Sequence, residues 1–500
     1  MLETAKPSEW PGMSANSEIE LKFACGPQDL AAVLAAAPAG DDETRELISV
    51  YFDTADLALQ RAGVSLRVRE HNGRRTQTLK RGQGLMREEH EAPIEGLAPD
   101  PALDPLPSIL PDGAMLRPAF NVRVSRRQRT FRYGGAEIEL ALDQGEVTGG
   151  DRQSAICEVE LELKSGPPAA LFALARELAL AAPLYLAFDG KAARGQALVA
   201  GPAQTVSQGG AADVADGATV AEAFQAVARR ALAQIATQAA VLRAAPSPEA
   251  VHQLRVAARR LRSALATFKP ILGGDGWESV KTELRWFSHA CDAARNLDVY
   301  ADETLRPAEL DAEPSLGLTA LRKSVDAARR EAWAKAGEAA ASARFRALMI
   351  DTAAWVETGD WLNSEAAEAP IKPFARHALK RHARKVAERG GEARGADDAA
   401  RHRLRIEAKT LRYAVEALGS LFGAARTRRY LRHVRELQEA LGALNDLAAA
   451  GPLAAGLTLT PQAAYAAGEL AGRKAGDRPK LLARARRALK RLNAAHLRQG

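Results

Sequence analysis

Five hundred residues exceed what a single ordinary hydrophobic core organises, so two or three domains are expected. With 47% hydrophobic and 26% charged residues the chain reads as globular, and no stretch of eighteen or more apolar residues is free of charge, which excludes a spanning helix. The net charge of +7 hides an asymmetry: residues 1–200 carry 22 Lys and Arg against 29 Asp and Glu, net −7, whereas residues 201–500 carry 47 against 33, net +14.

Opposite signs in two regions predict two modules with different electrostatic roles, the basic one suited to a polyanion. Cys25, Cys157 and Cys291 are odd in number and far apart in sequence. They form neither a disulfide framework nor a metal-ligand cluster, and the expected location is a reducing cytoplasm. No basic segment followed by an apolar run opens the chain, so no signal peptide is expected, and no membrane partner.

In chain order, residues 18–200 alternate with period two in short runs broken by Gly and Pro. Strands are predicted at 18–24, 47–52, 63–70, 75–80, 87–94, 122–133, 136–143 and 156–164, with helices near 27–37 and 167–181. The proline-rich stretch 95–118 reads as an irregular connection. This pattern predicts an α+β module built on an antiparallel sheet or barrel.

On the first strand Glu18, Glu20 and Lys22 share one face while Ile19 and Leu21 share the other. Alone, this describes any strand wet on one side. Later strands repeat the pattern with complementary charge: Arg67 and Arg69; Lys80; Arg87, Glu89 and Glu91; Arg126, Arg127 and Arg129; Asp143; Glu158, Glu160 and Glu162. If the sheet closes with these faces inward, carboxylates and cations share one lumen, an arrangement that makes sense only with metal and anion bound. The run Arg126-Arg-Gln-Arg129 lets the register slip, so either Arg126 or Arg127 faces inward. Glu89 and Glu91 fit as ligands, water-orienting groups or outer-face residues, Glu162 lies on the Glu158 face but past the metals, and Glu137 and Glu139 are expected in solvent.

The motifs Glu18-Ile-Glu20-Leu-Lys22, Tyr51-Phe-Asp53-Thr54, Leu66-Arg67-Val-Arg69, Thr78-Leu-Lys80, Asp143-Gln-Gly145-Glu, Cys157-Glu-Val-Glu160 and Gly190-Lys191-Ala-Ala-Arg194-Gly195 together resemble the CYTH, or triphosphate tunnel metalloenzyme, family over about 18–200. The resemblance implies an eight-stranded antiparallel barrel whose tunnel takes inorganic triphosphate and one or two Mg²⁺ or Mn²⁺ ions. By it, Glu18, Glu20, Glu158 and Glu160 would hold the metal with Asp143 assisting, and Lys22, Arg67, Arg69, Lys80 and Lys191 would grip phosphate oxygens. Arg87, Arg126, Arg127 and Arg194 would add substrate contacts. Such a set suits phosphoanhydride hydrolysis, which needs charge neutralisation and an aligned water more than covalent help.

The stretch 201–217 reads as a flexible linker between a 16–200 module and a 218–500 module. Beyond it Ala, Leu and Arg dominate at helical spacing, predicting an all-α module. It is duplicated: a gapless shift of 150 residues superimposes His252-Gln-Leu-Arg255-Val-Ala-Ala-Arg259-Arg-Leu-Arg262 on His402-Arg-Leu-Arg405-Ile-Glu-Ala-Lys409-Thr-Leu-Arg412. The expected architecture is two similar bundles, about 218–367 and 368–500, related by a pseudo-twofold. Within each copy the four named polar residues stack on one helical face, and two such stripes brought together would make a positive groove. Lys380, Arg381, Arg384 and Lys385 add charge on another helix, and 478–500 is basic without an acidic residue.

These motifs resemble the CHAD domain, a conserved-histidine helical domain, over about 218–500, which implies binding of inorganic polyphosphate. His252, Arg255, Arg259, Arg262, Lys380, His402, Arg405, Lys409 and Arg412 are the expected polyphosphate-binding residues. Lys409 in place of Arg259, Thr410 in place of Arg260 and the added Glu407 make the copies unequal. Alternatives on the same barrel are a nucleoside or thiamine triphosphatase or an adenylate cyclase; from another class, a non-catalytic polyphosphate scaffold. A nucleic-acid partner is not expected, since no aromatic-interleaved platform is present.

Overall fold

The computed structural model describes residues 17–82, 85–110, 113–200, 214–311, 315–393 and 397–495. The chain divides into two compact units, residues 1–209 with 343–354, and the remainder. The linker expected at 201–217 lies, up to residue 213, outside the described residues, as does the end of the basic tail beyond 495.

The first unit is a barrel. Strands β1 (Ser17–Ala24), β2 (Asp42–Asp53), β3 (Val64–His71), β4 (Arg74–Arg81), β5 (Met86–Ile94), β6 (Arg117–Tyr133), β7 (Ala136–Gly149) and β8 (Arg152–Ser165) pair antiparallel in the order β5-β4-β3-β2-β6-β7-β8-β1. The pairing of β1 with β5 closes the ring at eight strands. A short ninth strand, β9 (Tyr185–Ala187), lies outside the ring on β1, beyond the β5 contact. All eight expected strands are present and most run longer than the alternation suggested. Closure removes the exposed edges that an open sheet would leave to aggregation.

The helices Leu30–Ala36 and Pro168–Ala181 fall where expected, the second burying Leu171, Leu174 and Leu178. A third helix, Lys191–Ala200, was not anticipated. It closes one end of the barrel, where inward-facing Leu47, Phe120, Val122, Val124, Val147 and Ile156 form an apolar cluster against Ala192 and Leu198. The lumen is therefore half oil and half charge. Asp53 anchors the turn after β2 by accepting from the backbone N–H groups of Thr54, Leu59 and Gln60. One expectation about the cysteines changes: Cys25 and Cys157 are neighbours across β1 and β8, their Sγ atoms 3.7 Å apart.

Among the described residues the second unit is helical apart from a single bridge between Thr219 and Pro370. Its repeats form the same elements in the same order. Val220–Ala244 corresponds to Ile371–Glu392 and Pro248–Phe268 to Asp398–Leu418, while Gly274–Ala290 and Asp292–Tyr300 correspond to the one long helix Ala424–Ala455. Even the caps repeat: Ser247 and Asp397, 150 residues apart, each accept from the N–H three residues on. Phe224 and Phe374, also equivalent, both pack against Phe268, at ring centroid distances of 5.3 and 5.1 Å. Shared aromatic packing of this kind ties the two repeats together.

Gly195 is the tightest point of the barrel's end helix. A Cβ there would lie 2.1 Å from the ring of Phe120, which is itself stacked on Tyr51 at 4.6 Å and cannot swing away. Gly195→Ala should destabilise the barrel by about 1–3 kcal/mol through overpacking. An unchanged denaturant midpoint would show that the helix has room to shift.

Candidate active site

Antiparallel register and period-two alternation decide which side chains enter the lumen. Lys22 is paired with Glu160, Asp143 with Glu158, Arg126 with Asp143, Arg69 with Ser49, Lys80 with Glu89 and Glu18 with Arg87. Each pair shares one face, so the inward set propagates around the ring. It encloses a cavity of about 240 Å³ lined by seven carboxylates and eight cations. Seven of those cations are Lys22, Arg67, Arg69, Lys80, Arg87, Arg126 and Lys191, all expected; the eighth, Lys164, was not.

The deepest polar group is built around Lys191. Its Nζ lies 2.7 Å from Asp143, 2.8 Å from Glu158 and 2.7 Å from Glu160. Asp143 and Glu158 are fully buried, and Lys191 is nearly so. The first residue of the end helix thus delivers an ammonium into a triangle of carboxylates. Arg126 adds a fork to Asp143, at 2.7 and 2.6 Å, and reaches Glu160 as well; Lys22 bonds Glu160 and lies 3.4 Å from Glu20. Burial alone would raise the Glu160 carboxyl, but Lys191, Lys22 and Arg126 hold it well below the usual range. Asp143 is lowered against burial by Lys191 and Arg126. Lys191 is raised, because burial is outweighed by Glu160, Glu158 and Asp143.

Toward the other end of the lumen the balance differs. Glu18 pairs with Lys80 at 2.8 Å, yet its carboxyl is raised, chiefly by burial and also by Glu89, against the pull of Lys80. Lys80 also meets Glu89 at 3.0 Å, and Lys164 meets Glu162 at 2.6 Å and Glu139 at 3.7 Å. Arg69 stands apart. Its Nε donates to Ser49 Oγ at 3.0 Å, it has no carboxylate partner among the described residues, and burial together with Arg67 and Arg126 lowers it to about 10. Arg67 approaches Glu89 and Glu91 only at 3.8 and 3.9 Å, and its buried Nε has no hydrogen-bond partner. The Tyr51 phenol beside them is lowered, because Arg67, Arg69 and Lys191 outweigh its burial.

Several expectations need correction. Arg126, not Arg127, faces the lumen; the alternation that points Arg126 inward sends Arg127 outside to Asp42, at 2.6 Å. Arg194 does not line the cavity: it lies 2.9 Å from Glu158 and donates to the Ala155 carbonyl. Glu139, expected in solvent, lines the cavity beside Lys164, whereas Glu137 is exposed. Glu89, Glu91 and Glu162 all line the lumen. Among the described residues, carboxylate oxygens of Asp143, Glu158 and Glu160 converge within 4.8 Å of one another, and Glu18 pairs with Lys80. Tyr51, Ser49 and Lys164 escaped sequence reasoning, although each shares strand parity with a recognised neighbour.

This donor set fits a hard divalent cation. The ligand atoms it offers are carboxylate oxygens, three of them close enough to share one ion, and this is the chemistry Mg²⁺ and Mn²⁺ prefer. The same oxygens hold the Lys191 ammonium, so an ion and that ammonium would share ligands.

In the helical unit the two stripes come together, since Pro248–Phe268 packs against Asp398–Leu418. Arg255, Arg259, Arg405, Lys409 and Arg412 act on one another electrostatically. His252 is lowered by burial and by Arg295, with Arg259 and Arg255 adding to it. His402 is exposed and contacts Asn445 at 2.9 Å; Arg262 is exposed near Arg285; Lys380 is exposed on the Ile371–Glu392 helix, outside this group.

Removing the Lys191 ammonium would leave three buried carboxylates short of a cation. Lys191→Met should cost the barrel about 3–5 kcal/mol at neutral pH, as for other broken buried ion pairs. The wild-type contribution of Glu160 and Asp143, both lowered, is present above the ordinary carboxylate range and is lost as pH falls through their depressed values. The variant should accordingly lose less stability than wild type on acidification, a difference readable in denaturation midpoints at pH 7 and pH 4. Parallel pH profiles would sink this account of the buried charge.

Residues 16–195 match the CYTH domain family model, and residues 226–455 match that of the CHAD domain. An inorganic triphosphatase of Haemophilus influenzae is 30% identical over 200 residues, covering 36% of this chain and 54% of that protein. An uncharacterized protein of Mycobacterium tuberculosis is 33% identical over 179 residues, 34% of either chain. The match therefore spans about half of the first curated relative and a third of the second. Among solved structures, the CHAD domain from the plant Ricinus communis is 29% identical with a TM-score of 0.51, covering 58% of this chain and 97% of that one. Residues 16–195 of this chain form a CYTH domain, and residues 226–455 form a CHAD domain.

Proposed function

We propose that the barrel hydrolyses inorganic triphosphate to pyrophosphate and phosphate with a divalent cation, and that the helical unit binds inorganic polyphosphate. The observation that carries the first part is Arg69, a half-buried lumen cation with no carboxylate partner among the described residues, beside an Arg67 whose carboxylates stay at 3.8 Å or beyond. Two guanidinium groups left in this state inside a barrel are poised for an anion with several oxygens. The similarity to an inorganic triphosphatase points the same way.

The charge of the lining supports a metal. Seven carboxylates against eight cations leave it close to neutral, and a polyanion entering alone would upset that balance. Glu18, Glu20, Glu158 and Glu160, with Asp143 assisting, are the residues that would hold Mg²⁺ or Mn²⁺. Such an ion would supply charge neutralisation and a more acidic water. Lys22, Arg126 and Lys191 would then turn from carboxylates toward phosphate oxygens, while Arg67, Arg69 and Lys80 hold the far end of the chain. Arg87, near Glu20 at 4.0 Å, would orient the same substrate.

An organic triphosphate fits less well. Among the described residues Tyr51 is the one aromatic side chain on the cavity, and its ring already stacks on Phe120. No platform for a base is left.

Purified protein with Mg²⁺ or Mn²⁺ should release phosphate from tripolyphosphate much faster than from ATP, and lose the activity to a chelator. Equal rates on the two substrates would overturn the assignment. Glu20→Ala and Lys22→Ala should each lower turnover by about a hundredfold or more, the scale of removing one transition-state electrostatic contact. For the helical unit, long-chain polyphosphate should be retained in preference to DNA at matched salt, because salt alone weakens either complex. Preferential retention of DNA would defeat that half of the reading.

A further inference from the structure

The groove between Pro248–Phe268 and Asp398–Leu418 holds one group that its repeat partner lacks. At position 259 the first repeat has arginine; the equivalent position of the second has Lys409. An arginine keeps its proton in almost any protein setting, whereas a lysine can give it up when buried among like charges. The swap therefore changes what the site can do as well as its shape.

The surroundings of Lys409 are cationic on both sides. On its own helix Arg405 and Arg412 lie one turn away in either direction, and across the groove stand Arg255 and Arg259. Lys409 is half-buried and has no hydrogen-bond or ion-pair partner among the described residues. The nearby carboxylates are committed elsewhere. Glu416 lies 3.6 Å from Arg412, 3.5 Å from Arg435 and 3.9 Å from Arg260; Asp292 pairs with Arg255. Asp446, on Ala424–Ala455, acts on Arg405, and Glu407 acts on Arg389. From the same long helix it is Gln438, uncharged, that reaches the backbone of Ala408. Tyr413 acts on Arg259, and His252, one turn before Arg255, feels both Arg255 and Arg259.

We propose that anion binding in this groove is coupled to the uptake of one proton, and that Lys409 is the group that takes it up. The inference rests on reading the helical unit as a polyphosphate receptor, and adds to it a dependence on pH. Burial first, and then Arg259, Arg405, Arg255 and Arg412, push Lys409 down to about 6, so the free groove carries it largely neutral at neutral pH. A phosphate chain laid along the groove reverses that field and returns the proton. Between about pH 6 and the ordinary lysine range the bound protein then holds one proton more than the free protein. By linkage, affinity falls about tenfold for each unit that the pH rises. Burial, with Arg255 and Arg405 beside it, lowers Arg259 only to about 10, so it stays charged well above neutral pH and gives the first repeat no such dependence there.

The test is titration calorimetry of the full chain with long-chain inorganic polyphosphate, with a chelator present to suppress hydrolysis in the barrel. Runs at pH 8.5, above the histidine range, in two buffers of different ionisation heat count the protons taken up. Wild type should take up close to one, and Lys409→Arg close to none. Between pH 7.5 and 9 the wild-type affinity should fall by more than tenfold while that of the variant stays nearly flat. Lys409→Gln, which has no charge to regain, should bind more weakly than wild type at pH 6 and likewise take up none. Equal uptake by wild type and Lys409→Arg, or binding by wild type without uptake, overturns the role of Lys409 while leaving the receptor reading intact. Absence of binding at any pH overturns the receptor reading, and this inference with it.

Discussion

The structure of the barrel turns on one ammonium group held by three buried carboxylates. Lys191 is the first residue of the helix that closes one end of the lumen, and its Nζ is within 2.8 Å of Asp143, Glu158 and Glu160. Without it, β7 and β8 would carry facing carboxylates that burial and mutual repulsion disfavour. With it, they can be fixed in a dry wall, and Arg126 and Lys22 complete the compensation. The apolar packing of Phe120, Val122 and Leu198 at the same end keeps the helix in place, so core and charge hold each other.

The two units solve opposite electrostatic problems. In the barrel, charges of both signs are buried in near balance, and the few cations left without close partners, Arg69 above all, are where the proposed triphosphate would bind. In the helical unit, cations from two repeats face one another with few carboxylates between them. Such a groove stays folded because the helices beneath are secured by apolar contacts such as Phe224 and Phe374 on Phe268. Its net positive field is what the proposed binding of a polyanion would draw on.

Much of the fold was legible because its signals are local. Alternation marked all eight ring strands, and the 150-residue repeat follows from the chain alone, while its matching caps at Ser247 and Asp397 emerged with the structure. The misses share one cause. Lys191–Ala200 is a short Ala-rich segment interrupted by Gly195, and its helicity is secured by packing on Phe120. Arg126 and Arg127 are adjacent arginines, and Glu137 and Glu139 share a face, so composition could not tell which reaches the cavity. Cys25 and Cys157 are 132 residues apart and met only when β1 paired with β8.

The sequence by itself determined the strand faces, the duplication and the chemical character of each unit, because alternation, helical spacing and charge are properties of neighbouring residues. Tertiary structure decided which oxygens converge, which arginine turns inward and which cations remain unpaired. These depend on strand register and on helices returning from distant parts of the chain. Glu158, Glu160 and Asp143 were recognisable as candidates from their strands; that the Lys191 ammonium would sit among all three, while Glu18 stood apart on Lys80, was set by the closure of the barrel.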